Sequence, residues 1–372
     1  MLPYIIPVIF ILYGVVKYDF NNEKRGKSLL WILIFGYFIL LIGLRYKVGG
    51  DTINYMGDYE WRVPLNNWEI SFIDRYQPGY TLLCALCKSI SPEFYVFQIV
   101  HAFIINCALA IWIPKNTKYI YSSLFAFFLI SYLYFSTEVL REALAVIIFL
   151  FNYKNLVKHK WIKYYAGVVL SCFFHLSAVI LFLFPFFTKI RFNQRYLLLL
   201  ILAIGLSWGS IKIIKGLSDM LLIAEKAEGY AGVSTGFMAG AYRLVTTSLF
   251  PILYGFIASY KRKREIKFEW MIGLMGLLGM MTVFNPIIFG RFSNYMVLFF
   301  CISFASCIME WFKSKYTVRL HNAVILSFLF VLTYGIGFKM YNKYTLWVPY
   351  YSILNPKDVN REFAVKMLHV NY

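Results

Sequence analysis

The chain has 372 residues, 60% of them hydrophobic and 20% aromatic, with only 15% charged and a mean hydropathy of +0.63. A soluble domain runs at roughly 45–50% apolar and about 25% charged, so an ordinary soluble enzyme is excluded and a disordered chain even more firmly. Lys and Arg outnumber Asp and Glu 37 to 18, a formal charge of +19. With so little polar surface to carry nucleic acid, that excess reads as basic membrane loops that face anionic lipid and fix the topology.

Leu2–Val16 opens with neither Lys nor Arg and has no small-residue cleavage site, so it reads as a retained helix and not a signal peptide. Apolar runs approaching the roughly 20 residues of a bilayer span follow at Ser28–Leu44, Tyr119–Phe135, Leu197–Ile214, Leu244–Ser259, Phe292–Phe312 and Asn322–Phe338. Continuous runs, without inside/outside alternation, specify helices over a barrel. The expectation is an all-α polytopic membrane protein in which 1–372 forms a single integral membrane domain. The six cysteines all fall in apolar runs; Cys84 and Cys87 are spaced C-x-x-C but have no partner pair and no nearby His, so buried packing is favoured over metal or redox use.

Three loops are strongly basic: Lys17–Lys27, Lys261–Lys267 and Lys313–Arg319. The positive-inside rule puts them in the cytoplasm. The segment 45–77, the loop 215–242 and the tail 341–372 are then extracytoplasmic. Lys154–Lys163 and Lys189–Arg195 are both basic, yet one apolar run of about 24 residues joins them, which calls for a re-entrant hairpin with His175 near its apex. Pro78–Ile90 is too short to cross and reads the same way. This gives about ten crossings, or about twelve if both segments span. The same parity sets Arg45, Arg141, Arg243 and Arg291 at the extracytoplasmic ends of their helices. Because an arginine within the bilayer is costly, four at one boundary suggest an anion site.

Five constellations could carry chemistry. In Arg45-Tyr-Lys-Val-Gly49-Gly50-Asp51-Thr-Ile-Asn-Tyr55, the glycines allow a tight turn and Arg45 offers a planar fork for phosphate, or else Arg45 snorkels to headgroups. In Glu138-Val-Leu-Arg141-Glu142, the three charges share a helix face. They form either a local ion pair or an anion site in which a Glu orients Arg141. Cys172-Phe-Phe-His175-Leu-Ser177 places an imidazole inside an apolar stretch, as a hydrogen-bonded core residue or as a proton-transfer or phosphate-contact group. Tyr242-Arg243, after the glycines Gly229, Gly232, Gly236 and Gly240, and Gly290-Arg291-Phe-Ser-Asn-Tyr295 each begin a helix from outside, where backbone N–H groups suit an anion. The tail Tyr341–Tyr351 carries Trp347 and Tyr350, an interface belt or a set of flat faces for sugar rings. No P-loop, zinc-protease or hydrolase motif is present.

In this order, Arg45-x-x-x-Gly49-Gly50-Asp51-x-x-x-Tyr55, Arg141-Glu142-Ala-Leu-Ala, Phe174-His175-Leu-Ser177-Ala, Arg291-Phe-Ser-Asn-Tyr295 and Trp347-x-Pro349-Tyr350 resemble the EpsG family of Wzy-like bacterial polysaccharide polymerases. Gln77-Pro78-Gly79-Tyr80 departs from a family element that often begins with an acid. The resemblance implies a GT-C-like membrane glycosyltransferase of the bacterial inner membrane, independent of metal and cofactor. It would join undecaprenyl-diphosphate-linked oligosaccharides on the extracytoplasmic face, with membrane lipid and a chain-length regulator as partners and no nucleic acid. It assigns Arg45, Arg141, Arg243 and Arg291 to the diphosphate, His175, Asp51 and Glu142 as candidates for base chemistry, and Tyr55, Tyr295, Trp347 and Tyr350 to the sugar. A lipid-linked glycan flippase or an O-antigen ligase-like transferase is the alternative.

Overall fold

The computed structural model describes residues 1–71, 74, 76–205, 237–259, 266–282, 286–340 and 344–357. Among them there are helices and short connections but no strand, and the chain is an all-α polytopic membrane protein. Leu2–Phe20, Phe94–Asn116, Ile120–Thr137, Gly240–Ser259, Ile288–Phe312 and Thr317–Gly335 are long and apolar enough to cross a bilayer, and Lys27–Gly43, Leu176–Phe187, Gln194–Gly205 and Glu269–Met281 are shorter apolar helices. Of the loops expected from sequence, residues 206–236, most of the KRKREIK loop and the tail beyond 357 lie outside the described residues. The described chain forms two compact units, Met1–Phe182 with the tail, and Leu183–Tyr341.

The first unit contains α1 (Leu2–Gly14), α2 (Lys27–Gly43), α3 (Thr52–Glu60), α4 (Pro78–Ile90), α5 (Phe94–Asn116), α6 (Ile120–Phe127), α7 (Leu133–Thr137), α8 (Leu140–Val157) and α9 (Trp161–Cys172). Its helices are tied by side chains that reach a neighbour's carbonyl, a bond that keeps its value where no water competes. The Trp31 indole donates to the Ala110 carbonyl at 3.0 Å, and Gln98 Nε2 donates to the carbonyls of Gly43 and Arg45, each at 2.8 Å. Together these make α2 and α5 antiparallel. The Trp112 indole fastens α5 to Leu150 of α8.

This packing gives the unit two chemically different ends. One gathers residues 17–27, 115–119 and 154–163, where bases far outnumber Asp19 and Glu23; Lys27 Nζ donates across it to the Lys118 carbonyl. The other gathers the 44–62 segment, the start of α4, the α7–α8 junction and the tail, and here acids and bases are mixed. The tail is stitched on by backbone bonds from Tyr46 N to Tyr351 O, Ile353 N to Leu44 O and Gly49 N to Leu346 O, all 2.8–2.9 Å.

The run from Trp161 to Phe187 is not one helix. Breaking at Phe173–His175, it continues as a 3-10 helix, Leu176–Leu183. The Tyr164 hydroxyl donates to the Leu181 carbonyl at 2.6 Å, and the Tyr165 and Phe182 rings stack at 5.8 Å. In a straight helix, residues 17 apart would stand about 25 Å from each other, so the two legs fold back side by side with His175 in the bend. Tyr165→Cys paired with Phe182→Cys is therefore expected to cross-link through a short thiol reagent, giving a linked peptide by mass spectrometry; a continuous span gives none.

In the second unit, Ser248 Oγ donates to the Gly276 carbonyl at 2.7 Å and Tyr254 meets Ser303 at 3.0 Å, while Phe250 packs on Phe300. The helix through 237–259 therefore runs in the same direction as Pro286–Phe312. Arg243 and Arg291 lie at the starting ends of these two parallel helices.

Candidate functional site

At the mixed-charge end of the first unit, chain direction changes at Gly49-Gly50. Gly49 has φ +106°, and a Cβ there would stand 2.8 Å from Thr52 Oγ1, while one on Gly50 would stand 2.9 Å from Glu138 Oε2. Glycine is required because a carboxylate occupies that space. Glu138 accepts the Gly50 and Asp51 backbone N–H groups at 2.9 Å each and the Thr137 hydroxyl at 3.1 Å, the kind of amide nest that otherwise holds an anion. Burial raises its pKa, as does the Asp51 charge, and the donated hydrogen bonds oppose the shift. The ion pair between Glu138 and Arg141 left open by the sequence does not form: Glu138 is committed to a loop 88 residues earlier.

Arg45 is buried, 1% exposed. Nε donates to Val48 O at 3.1 Å and Nη1 to Ile42 O at 2.6 Å, while Nη2 is buried with no hydrogen-bond partner. Burial pushes its pKa down to about 10, with the Glu138 charge opposing, and it stays cationic at neutral pH. It clasps the carbonyls of its own turn. Trp347 is also buried, its indole donating to Thr137 Oγ1 at 2.9 Å, and the Tyr350 hydroxyl donates to the Leu41 carbonyl at 2.9 Å. Both tail aromatics latch onto the α2 and α7 ends, Trp347 buried and Tyr350 half-buried.

Arg141 is differently placed. Standing in the first turn of α8, it lays its guanidinium over the Tyr76 ring, 3.9 Å from the centroid, with Tyr80 at 5.9 Å. Nη1 donates to Gln77 Oε1 at 3.1 Å. Nε is buried with no hydrogen-bond partner, and among the described residues no carboxylate pairs with this guanidinium. Tyr55, Tyr76 and Tyr80 pack edge to face and tilted around it, with centroids 5.5–6.3 Å apart. Burial pushes the Tyr55 hydroxyl up to about 12, with Arg141 the main opposing charge. Aromatic faces hold a cation without neutralising it. The site thus keeps a net positive fork, the group suited to a bidentate phosphate contact.

The His175 bend reaches the same place. Gly79 N donates to the Phe173 carbonyl at 2.8 Å, so α4 begins against the hairpin two residues after Gln77 meets Arg141. His175 Nδ1 accepts the Ser177 backbone N–H at 3.1 Å and lies 2.7 Å from Ser177 Oγ. A backbone N–H can only donate, so Nδ1 is the acceptor nitrogen and neutral His175 carries its proton on Nε2. Asp51 is half-buried at the mouth of the loop; Glu142 is wholly buried inside α8.

The structure thus brings Arg141, Tyr55, Asp51 and the His175 bend together in one unit. Arg243, Arg291 and Tyr295 belong to the other. There, Tyr295 is fully buried, Arg243 and Arg291 are half-buried, and no described residue stands within 4 Å of where a Cβ on Gly290 would sit. The glycines Gly229, Gly232 and Gly236 lie outside the described residues. Tyr76 was not singled out from sequence, and Tyr80 entered only as the last residue of Gln77-Pro78-Gly79-Tyr80. The available signal was the pair of tyrosines flanking Gln77-Pro78-Gly79, because proline starts α4 after an extended Gln77 and so fixes where both rings point.

A helical multi-pass membrane protein with an arginine that no described carboxylate pairs, at one end of its first unit, is the class that fold and site define. The chain belongs to the EpsG family, whose model matches residues 28–352. No curated protein and no solved structure matches it.

Proposed function

We propose that the protein is a polysaccharide polymerase. It would transfer a growing glycan from its undecaprenyl diphosphate to a sugar hydroxyl of another lipid-linked repeat unit, on the extracytoplasmic face of the bacterial inner membrane. Family membership supports the class. The observation that carries the mechanism is the Arg141 fork, held on Tyr76 with no carboxylate among the described residues to pair with it. The partition of charge supports the orientation, since the basic end of the first unit belongs in the cytoplasm.

In the reaction, the bond between the donor's anomeric carbon and the phosphate oxygen breaks. The acceptor hydroxyl oxygen forms the new glycosidic bond and gives up its proton, and polyprenyl diphosphate leaves with the bonding electrons. A fixed guanidinium stabilises the charge that develops on that leaving group. We assign Arg141 this role in the first unit. Arg243 and Arg291 are carried as further phosphate contacts on the family resemblance, and Arg45 supports the turn that bears Asp51. Asp51 faces the acceptor, as orienting group or base, with Tyr55 and Tyr295 as candidate sugar contacts. His175, protonated on Nε2, donates to phosphate.

A glutamine amide reaches about as far as Nε2 and still donates, so His175→Gln should keep measurable activity where His175→Ala loses about tenfold more; equal loss in both would make the histidine a base. The function itself is tested with purified protein and lipid-diphosphate-linked repeat units, without nucleotide sugar or metal. A ladder of longer glycans is expected. A flippase gives no ladder, and a ligase extends only a different acceptor.

A further inference from the structure

Arg62, which no motif singles out, also lies against Tyr76. It follows α3 by two residues and is 14% exposed. Its fork grips Asp58 through Nε and Nη2, at 2.9 and 2.7 Å. Its other edge grips Asp74, with Nη2 at 3.3 Å from Oδ1 and Nη1 on Oδ2. Asp74 Oδ1 also accepts the Tyr76 backbone N–H at 3.2 Å. The Arg62 guanidinium carbon lies 5.5 Å from the Tyr76 centroid, and that of Arg141 lies 3.9 Å from it.

One ring therefore meets two guanidinium groups of opposite electrostatic status. Two carboxylates surround Arg62, so its cation is spent within the loop and adds little repulsion toward its neighbour. Among the described residues Arg141 meets only neutral partners, the Gln77 oxygen, the Tyr55 hydroxyl and the Tyr76 ring, and keeps its charge for an outside anion. The aspartates fix Arg62 at the end of α3, and through Asp74 they fix the backbone of residue 76. The ring so placed is the platform on which the Arg141 fork lies.

We propose that Arg62, held between Asp58 and Asp74, is a positioning residue that acts through the Tyr76 ring to orient the Arg141 fork for its anion. The proposal rests on the diphosphate reading of Arg141. Lysine cannot replace it, because an ammonium lacks the two-edged planar fork that bridges both carboxylates.

The test measures binding of inorganic pyrophosphate to full-length purified protein in detergent, together with chain extension, for wild type, Arg62→Ala, Arg62→Lys, Asp74→Asn, Arg141→Ala and the Arg62→Ala/Arg141→Ala double variant. Pyrophosphate affinity should fall about tenfold in Arg62→Ala and in Arg62→Lys, by a comparable or smaller factor in Asp74→Asn, and about a hundredfold in Arg141→Ala. The double variant should be no worse than Arg141→Ala in either measurement, because Arg62 has no effect once its target is gone. Losses that multiply in the double variant would make Arg62 an independent structural prop and overturn the proposal. Pyrophosphate affinity in Arg62→Ala, Arg62→Lys and Asp74→Asn equal to wild type would overturn it too while leaving the diphosphate reading intact. A wild type that neither binds pyrophosphate nor extends glycans would overturn that reading, and the proposal with it. Should Arg62→Ala fail to fold, Arg62→Lys and Asp74→Asn, which keep charge or shape, decide the question.

Discussion

Arg141→Ala and Arg141→Lys are each expected to lose about a hundredfold or more of chain extension while the protein still accumulates in the membrane. Removing one preorganised donor to developing negative charge costs on the order of 10²–10³ in turnover. Here the donor is a fork already laid on Tyr76, so little of its binding energy goes into ordering it. Lysine keeps the charge but loses the planar stack and the second N–H, and for a diphosphate both matter. Because Arg141 makes no ion pair among the described residues, its removal leaves no carboxylate uncompensated, and the melting midpoint should barely move. A variant that folds like wild type and extends glycans at the wild-type rate would remove Arg141 from the mechanism.

The opposite pattern is expected at Glu138. Glu138→Ala strands one buried and one half-buried N–H group, each costing roughly 1–3 kcal/mol, and removes the charge that opposes Arg45's desolvation. A loss of about 2–5 kcal/mol should follow, visible as a lower melting midpoint in detergent and as faster proteolysis near Gly50. Glu138→Gln should be intermediate, since one carbonyl oxygen replaces two and an amide N–H faces a donor. Stability equal to wild type in Glu138→Ala would show that the loop is held by other contacts.

Much of this architecture was written locally. The apolar runs became helices because a span needs little beyond composition and length, and the charged flanks of 154–195 favoured, over a full span, the fold-back that the Tyr164–Leu181 bond makes visible. The long-range commitments were not legible. Spacing put Glu138 beside Arg141, yet the carboxylate goes to Gly50, and nothing near residue 138 names that partner. Arg45 and Trp347 have the residue types of a ligand site, and burial turns them into braces for a turn and a tail. Arg62 carried a readable local signal, an acid in the last turn of a short helix four residues before an arginine just beyond its end, but its consequence for Tyr76 and Arg141 depended on Asp74.

The central claim is that a glycan is transferred from one lipid diphosphate to another lipid-linked sugar at the Arg141 fork. It is tested most directly by counting polyprenyl diphosphate released per glycosidic linkage formed by purified protein in the presence of a chelator. One is expected for each linkage, with both products falling together in Arg141→Ala. Linkages that form without release, or that require a nucleotide sugar or a divalent cation, would contradict it.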